Sequence, residues 1–367
     1  MTPWWGGALP PAELRRRVGH PSQIAGVRLV TLGDGAGRGV RVLEFRTGSG
    51  FAFEVLVDRA FDIGHAERSG LPLTWHGAQG VTGPWYAEHE GLGFLRGFAG
   101  GLLVTGGLDH TLFPTADRAD QYGYPAQQEV RYGLHGRVSN LPARLLGYGE
   151  EWNGEKCTLW AEGEVTQAAM YGEKLTLRRR IEADLGGSSL RLRDEVTNVG
   201  FWPTPHMVLY HVNFGFPVVD EGSEVMLPGR DVRPLGSAPP GAWSRLSAPI
   251  PGAGERVYEF TPQARADGWA TAAILNHARG IGVAQRFRPG QLPHAFTWQQ
   301  LDEGEYVVAI EPSTNRVAGR HDAKERGELI ILAAGESRRY DLELLALQGA
   351  EELKALAAGE QVGAGRP

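Results

Sequence analysis

The chain has one cysteine, Cys157, among its 367 residues. An internal disulfide is excluded, and this composition fits a reducing compartment. Positive charge is also short: 37 Lys and Arg stand against 43 Asp and Glu, a formal net charge of −6. Binding a phosphate backbone calls for a basic face, so nucleic acid is not the expected partner. No apolar run approaches the roughly 20 residues of a membrane-spanning helix. The opening stretch, MTPWWGGALPPAELRRR, lacks the apolar centre of a secretory signal. The expectation is a cytoplasmic protein without a membrane partner. There is no CxxC pair, no HxxxH, no GxxxxGK[ST] loop, and no GxGxxG between a strand and a helix. These absences set aside zinc and nucleotide chemistry, and no cofactor or metal is expected.

Glycine is abundant: 52 residues, about double the usual share of roughly 7%. It shows no Gly-X-Y period, so the glycines read as tight turns between short strands. In FAFEVLVD, Phe51, Phe53, Val55 and Val57 fall on one face of a strand, Glu54 and Asp58 on the other. RVLEFRTGSGFAFEV reads as a hairpin around Gly48 to Gly50. KLTLRRRIEADLGGSSLRLRDEVTN reads as a second: Leu175, Leu177, Arg179 and Ile181 alternate with Thr176, Arg178, Arg180 and Glu182, and GGSS turns the chain. Further strands are expected at HMVLYHVNF, ATAAILN, GIGVAQRF, HAFTWQQ, EYVVAIEP, GELIILAAG and RRYDLELLAL. A few short peripheral helices are expected, among them one after Pro10 and Pro11 and one in EELKALAAG, closed by Gly359. The pattern predicts an all-β, mostly antiparallel architecture in one domain. Residues 1–25 form an extension and 350–367 a tail. The Pro/Gly-rich stretch LGSAPPGAWSRLSAPIPGAGER reads as a surface excursion.

Taken singly, the candidate site residues are weak. His206 and His211, five apart on one strand, point to opposite faces and make no metal pair. Within the strand, His211 reads equally as a hydrogen-bonded structural histidine. His135, in YGLHGRVSN, reads equally as part of a turn. Glu311 differs, because the apolar strand EYVVAIEP delivers it directly before Pro312, which is expected to stop ladder pairing. A carboxyl rimmed by Val307, Ala309 and Pro312 is expected to have a raised pKa, suited to a general base. Arg96 lies in GFLRGFAGGLLVTGG, where glycines admit a ligand or backbone and a guanidinium can donate to hydroxyls.

Read together and in order, LRGFAGGLLVTGGL, LHGRVSN, LYHVNFGFP and VVAIEPSTN resemble the aldose 1-epimerase (mutarotase) superfamily. VDRAFDIGHAERSGLPLTW is similar to a branch carrying a D-R-x-x-D-I-G segment. The resemblance spans roughly Val55 to Asn315. It implies a large antiparallel β-sandwich with its site in a concave face, and a catalytic set of His135, His211 and Glu311. The expected substrate-binding set is Arg96, Arg59, Trp298 and Gln300. The sequence departs from the family pattern at Tyr210, where many members have Asn, and in RGFAGG, longer than the compact RGG. The family's substrate-binding aspartate has three candidates, Asp220, Asp231 and Asp302. The implied reaction is interconversion of sugar anomers: Glu311 takes the proton of the anomeric hydroxyl and His211 gives one to the ring oxygen. His135 hydrogen-bonds the developing charge, and Arg96 holds hydroxyls. Trp75, Trp85, Tyr86, Trp202 and Trp298 are candidates to pack against a pyranose face. The implied partner is an unphosphorylated sugar, the protein a monomer or homodimer. The alternatives are another sugar epimerase or lyase using the same acid/base pair, or a carbohydrate-binding protein without turnover.

Overall fold

The structure, a computed structural model, describes residues 13–14, 16–119 and 128–359. Two antiparallel sheets, of twelve and eight strands, stack face to face, with a separate two-stranded ribbon, Thr115–Arg118 with Glu129–Tyr132. The centre of the larger sheet runs Leu103–Leu108, Thr204–Phe214, Tyr306–Ser313, His294–Leu301 and Glu255–Pro262, in that spatial order. The smaller sheet includes the expected hairpin, Lys174–Asp184 with Ser189–Asn198. Beside it lies a long hairpin absent from the sequence reading, Ala143–Asn153 with Lys156–Ala168. Its signal was present: Gly154 (φ +61°) opens a two-residue turn, where a positive φ is required.

Alternation sorts the side chains of both sheets. Phe45, Val55, Val208, Tyr210 and Val212 of the larger sheet and Leu177, Ile181 and Leu192 of the smaller one form one continuous core. The expected hairpin around Gly48 is present, and the stacked rings of Phe45 and Phe53 (centroids 4.5 Å apart) belong to that core. Charge enters the core at one point. Arg179, read from its alternation as a core-face residue, is fully buried. Its Nη1 donates to Asp62 Oδ1 (2.5 Å), and its Nη2 and Nε to Asp194 (2.7 and 2.8 Å). Thr105 Oγ1 accepts from Arg179 and donates to Asp62, and the Tyr210 hydroxyl donates to Asp194. Asp62, Thr105 and Tyr210 belong to the larger sheet, Arg179 and Asp194 to the smaller, so the network ties one sheet to the other.

The C-terminal segment packs onto the fold. The helix Ala350–Ala357 ends with Gly359 at φ +82°, as expected, and buries Leu353 and Leu356 against Ala273, Ala284, Leu345 and Leu347. The helix expected after Pro10 and Pro11 falls largely outside the described residues. A seven-residue helix, Gly319–Glu325, was not foreseen. Pro312 does not end its strand: it pairs with Ala295, and Ser313 with His294. The interruption falls on the other side. There the ladder runs through Val212↔Ile310 and Leu209↔Ser313, skipping Glu311 and Pro312. Proline has no N–H to give at that position.

Removing Arg179 leaves two buried carboxylates unpaired. Breaking one partner of such a pair costs about 3–5 kcal/mol. Arg179→Met is therefore expected to lower unfolding stability by about that amount, against about 1–3 kcal/mol for Tyr210→Phe. Urea unfolding measures both, and a loss under about 1 kcal/mol for Arg179→Met contradicts the reading of the network as the tie between sheets.

Candidate functional site

The strand Thr204–Phe214 is buried on both faces. Its even-numbered residues face the second sheet: Tyr210 reaches Asp194, and His206 bonds the Leu108 carbonyl (2.8 Å) and the Tyr340 hydroxyl (2.7 Å). His211 lies on the opposite face, as the five-residue spacing required. There it meets Glu311. The register that pairs Val212 with Ile310 continues to place these two opposite each other, and His211 Nε2 lies 3.6 Å from Glu311 Oε1.

His135 approaches from a loop. Its backbone is left-handed (φ +55°), unusual for a residue with a Cβ. Two hydrogen bonds hold it there, its N–H to the Leu112 carbonyl and its carbonyl from the Gly107 N–H, each 2.9 Å. The next residue must be glycine: a Cβ on Gly136 (φ +73°) would lie 2.4 Å from the Gly107 oxygen. The His135 and His211 rings meet edge to face at 5.8 Å. Phe94 packs 5.0 Å from His135, and Phe98 lies 5.1 Å from His211, with Trp298 at 5.6 Å on another side. Phe94 belongs to a single helical turn, Phe94–Gly97, and Phe98 caps it.

These residues line one cleft of about 590 Å³, within the roughly 300–1,000 Å³ of small-molecule sites. Its walls are apolar and aromatic, with Trp75, Phe296 and Phe113 beside the groups already named. Glu255 and Glu305 also line it, and Glu255 accepts from the indole N–H of Trp298 at 3.0 Å.

Burial sets the protonation. It raises the Glu311 carboxyl well above the usual carboxylate range, with the charge of Glu255 adding to the effect. It lowers His211 to about 3, helped by His135, and lowers His135 to about 3, helped by His110. The neutral forms are favoured, so Glu311 and His211 share one proton, which rests on the carboxyl. A protonated carboxyl beside a free imidazole is a donor and an acceptor side by side, the requirement for moving protons between two oxygens of one substrate.

The predicted residues divide. His135, His211, Glu311 and Trp298 come together in the cleft, and Trp75 joins them. Gln300 shares the face of Trp298 but lies two residues further along, outside the lining. Arg96 is exposed on the outer side of its helical turn, 3.5 Å from Glu88, and lines a neighbouring depression. Flanked by glycine in sequence, it looked free to reach inward, but the turn directs Phe94 and Phe98 there. Arg59 is buried and spends its donors on protein acceptors. Trp85, Tyr86 and Trp202 are exposed and outside the lining. Among the aspartates, Asp220 pairs with Arg279, Asp302 accepts from the Gly252 N–H, and neither these nor Asp231 lines the cleft. Sequence reasoning missed Phe94, Phe98, Phe296, Glu255 and Glu305. Phe296 was recoverable from alternation with Trp298, whereas nothing in GAGERV marks Glu255. Among the described residues, no group of three His, Cys, Asp or Glu is placed to hold a metal ion, and no helix is long and apolar enough to cross a membrane.

The stacked antiparallel sheets define a protein of the galactose mutarotase-like fold, and comparison with solved structures agrees. A Klebsiella pneumoniae protein provisionally named an aldose 1-epimerase superposes with a TM-score of 0.81 at 24% identity, over 91% of this chain and 86% of that one. A galactose mutarotase-like protein from Clostridium acetobutylicum gives 0.62 at 12% identity, over 88% and 98%. A galactose mutarotase related enzyme from Lactobacillus acidophilus gives 0.51 at 14%, over 83% and 96%. At these identities the likeness is one of fold. No curated protein matches the chain. The profile of a family described as a domain of unknown function (DUF4432) matches residues 37–346, and the chain belongs to that family.

The buried histidines make stability depend on pH. Folding holds His110 and His206 down at about 4 and His135 and His211 at about 3, each chiefly through burial. In the unfolded chain each titrates near 6.5, so below that pH the unfolded chain binds more protons. Their contribution to stability is present above about 6.5 and is lost as pH falls towards 4. Glu311, Asp62 and Glu54, whose carboxyls burial raises, act in the opposite sense, while His76, His89 and His294, lowered by burial, add to the four. Tm is expected to fall between about pH 7 and about pH 5; a flat Tm across that interval contradicts four neutral buried histidines.

Proposed function

We propose that the protein interconverts the anomers of a sugar by acid/base ring opening and closure. One observation carries the reading: Glu311 and His211 face each other across adjacent strands at 3.6 Å, inside an aromatic-walled cleft. Opening a cyclic hemiacetal removes a proton from the anomeric hydroxyl and adds one to the ring oxygen. The two oxygens share the anomeric carbon, so the acid and the base must lie close together. Glu311 takes the hydroxyl proton and His211 supplies the ring-oxygen proton. The active form differs from the resting one only by transfer of the shared proton from carboxyl to imidazole. Sugar hydroxyls donating to Glu311 favour that transfer, because hydrogen bonds to a carboxylate stabilise its charged form. Rotation about the bond to the opened carbonyl carbon, then closure with the roles reversed, returns the other anomer. His135, beside His211, hydrogen-bonds the charge developing near the ring oxygen. Trp298 and Trp75 offer aromatic faces to the C–H side of the ring.

The catalytic set is thus Glu311, His211 and His135, acting on an unphosphorylated sugar in the cytoplasm. The same donor–acceptor pair suits proton abstraction beside a carbonyl, so product analysis accompanies the rate measurement. Exchange between anomers, followed by saturation-transfer NMR over a panel of aldoses, ketoses and uronic acids, is expected to accelerate for at least one sugar. New product peaks without anomer exchange would favour an epimerase or lyase.

Glu311→Gln and His211→Ala are each expected to lower turnover at least ~10²-fold, the low end for a positioned proton-transfer group, with the fold intact by circular dichroism. His135→Asn, which moves no proton, is expected to cost less. Near-wild-type turnover in either of the first two removes that residue from its role. The rate is expected to stay level through the ordinary histidine range near 6.5. Its acid limb belongs near the His211 value of about 3, where a second proton enters the pair. An acid limb near 6.5 in the pH–rate profile would show a solvent-exposed imidazole instead.

A further inference from the structure

The D-R-x-x-D-I-G segment takes no part in the chemistry above, yet each of its three charged side chains is committed. Asp58 accepts from the Arg41 guanidinium and backbone N–H, and Asp62 joins the Arg179 network. Arg59, between them, is 6% exposed, and every acceptor of its hydrogen bonds is neutral. Its Nε donates to the Ser139 carbonyl (3.0 Å), its Nη1 to the Thr82 carbonyl and hydroxyl (2.8 and 2.9 Å), and its Nη2 to the Gly97 carbonyl (2.9 Å). Burial lowers its pKa, and Asp62, at longer range, offsets this in part.

A buried guanidinium without a carboxylate on its fork is costly, so the three segments it joins are informative. Thr82 lies in the loop before the turn Pro84–Tyr86. Gly97 ends the turn that holds Phe94 and is followed by Phe98. Ser139 sits in the turn Val138–Asn140, four residues after His135. Moving Gly97 therefore moves the rings packed on His135 and His211, and moving Ser139 moves the loop that carries His135. The backbone that follows Arg59 is tied down. Ala60 and Phe61 are held left-handed (φ +52° and +59°), and the Ala60 N–H donates to the Leu141 carbonyl at 2.9 Å. Four of five guanidinium donors, fixed in one plane, thus hold three loops in register from a strand end. Lysine, a point charge with three rotatable donors, cannot reproduce that fork.

We infer that Arg59 is a positioning residue: its guanidinium locks the aromatic wall that orients and shields His135 and His211, without touching the sugar. The inference rests on the acid/base reading of those histidines. Its test is built so that the two can fail separately. The histidine ring resonances of wild type, Arg59→Lys and Thr82→Val are followed by NMR across pH, with Leu353→Ala, a cavity beneath the C-terminal helix, as a control for general destabilisation. In Arg59→Lys the His135 and His211 midpoints are expected to rise from about 3 towards the ordinary value, as water enters behind a loosened wall. Thr82→Val, which removes one acceptor and keeps the side-chain shape, shifts them less and in the same direction. Leu353→Ala leaves them unmoved. Where wild type turns over a sugar, Arg59→Lys is expected to lower kcat about 10–10²-fold, the range for misplacement by an ångström or less, with a smaller change in KM.

Unmoved midpoints in both Arg59→Lys and Thr82→Val overturn the inference, leaving Arg59 a purely structural residue. Should Arg59→Lys fail to fold, unmoved midpoints in Thr82→Val alone have the same force. Absence of anomer exchange in wild type, with the midpoints shifting as described, sinks the mutarotase reading and leaves the role of Arg59 standing.

Discussion

Arg179, buried between the sheets with Asp62 on one side and Asp194 on the other, is the constraint on which the remaining geometry depends. A charged group can stay in a dry core only if its donors are met, and here they are met from both layers. Because Asp62 and Thr105 belong to neighbouring strands, and Tyr210 reaches the same Asp194, the network fixes how the larger sheet sits on the smaller one. Strand alternation then carries that placement through the sheet. Fixing Tyr210 inward directs His211 outward. The site is the reverse side of a core network.

The cleft shows how one environment can supply both an acid and a base. Desolvation favours the neutral form of each group, holding Glu311 protonated and His211 unprotonated. In water, carboxylate and imidazolium would be the ordinary state at mildly acid pH. In the cleft the single proton rests on the Glu311 carboxyl, with the His211 imidazole 3.6 Å away. The interruption of the ladder at Pro312 leaves this pair between Leu209↔Ser313 on one side and the run from Val212↔Ile310 to Phe214↔Val308 on the other.

Much of this was legible in the sequence, for reasons that differ by element. Period-two patterning placed Arg179 among core residues and put His206 and His211 on opposite faces, because a strand's side chains alternate whatever the tertiary context. Gly359 marked the end of the last helix, since a left-handed residue there favours glycine. Resemblance supplied the order of His135, His211 and Glu311. Arg59 and Arg96, like Gln300, fall outside the cleft lining. Arg96 lies in a glycine-rich stretch and Arg59 between Asp58 and Ala60, and nothing local distinguishes a guanidinium that meets a ligand from one that meets carbonyls of distant loops or one that faces water.

By itself, the sequence determined the secondary-structure class, about half of the strands and the faces their residues take, and the exclusion of an internal disulfide. These follow from local sterics, alternation and composition, which act over a few residues. Only the tertiary structure decided that Glu311 stands 3.6 Å from His211, that Phe94 and Phe98 close over the histidines while Arg96 turns outward, and that Glu255 joins the cleft. Those outcomes depend on the packing of segments far apart in the chain and on the water that packing excludes.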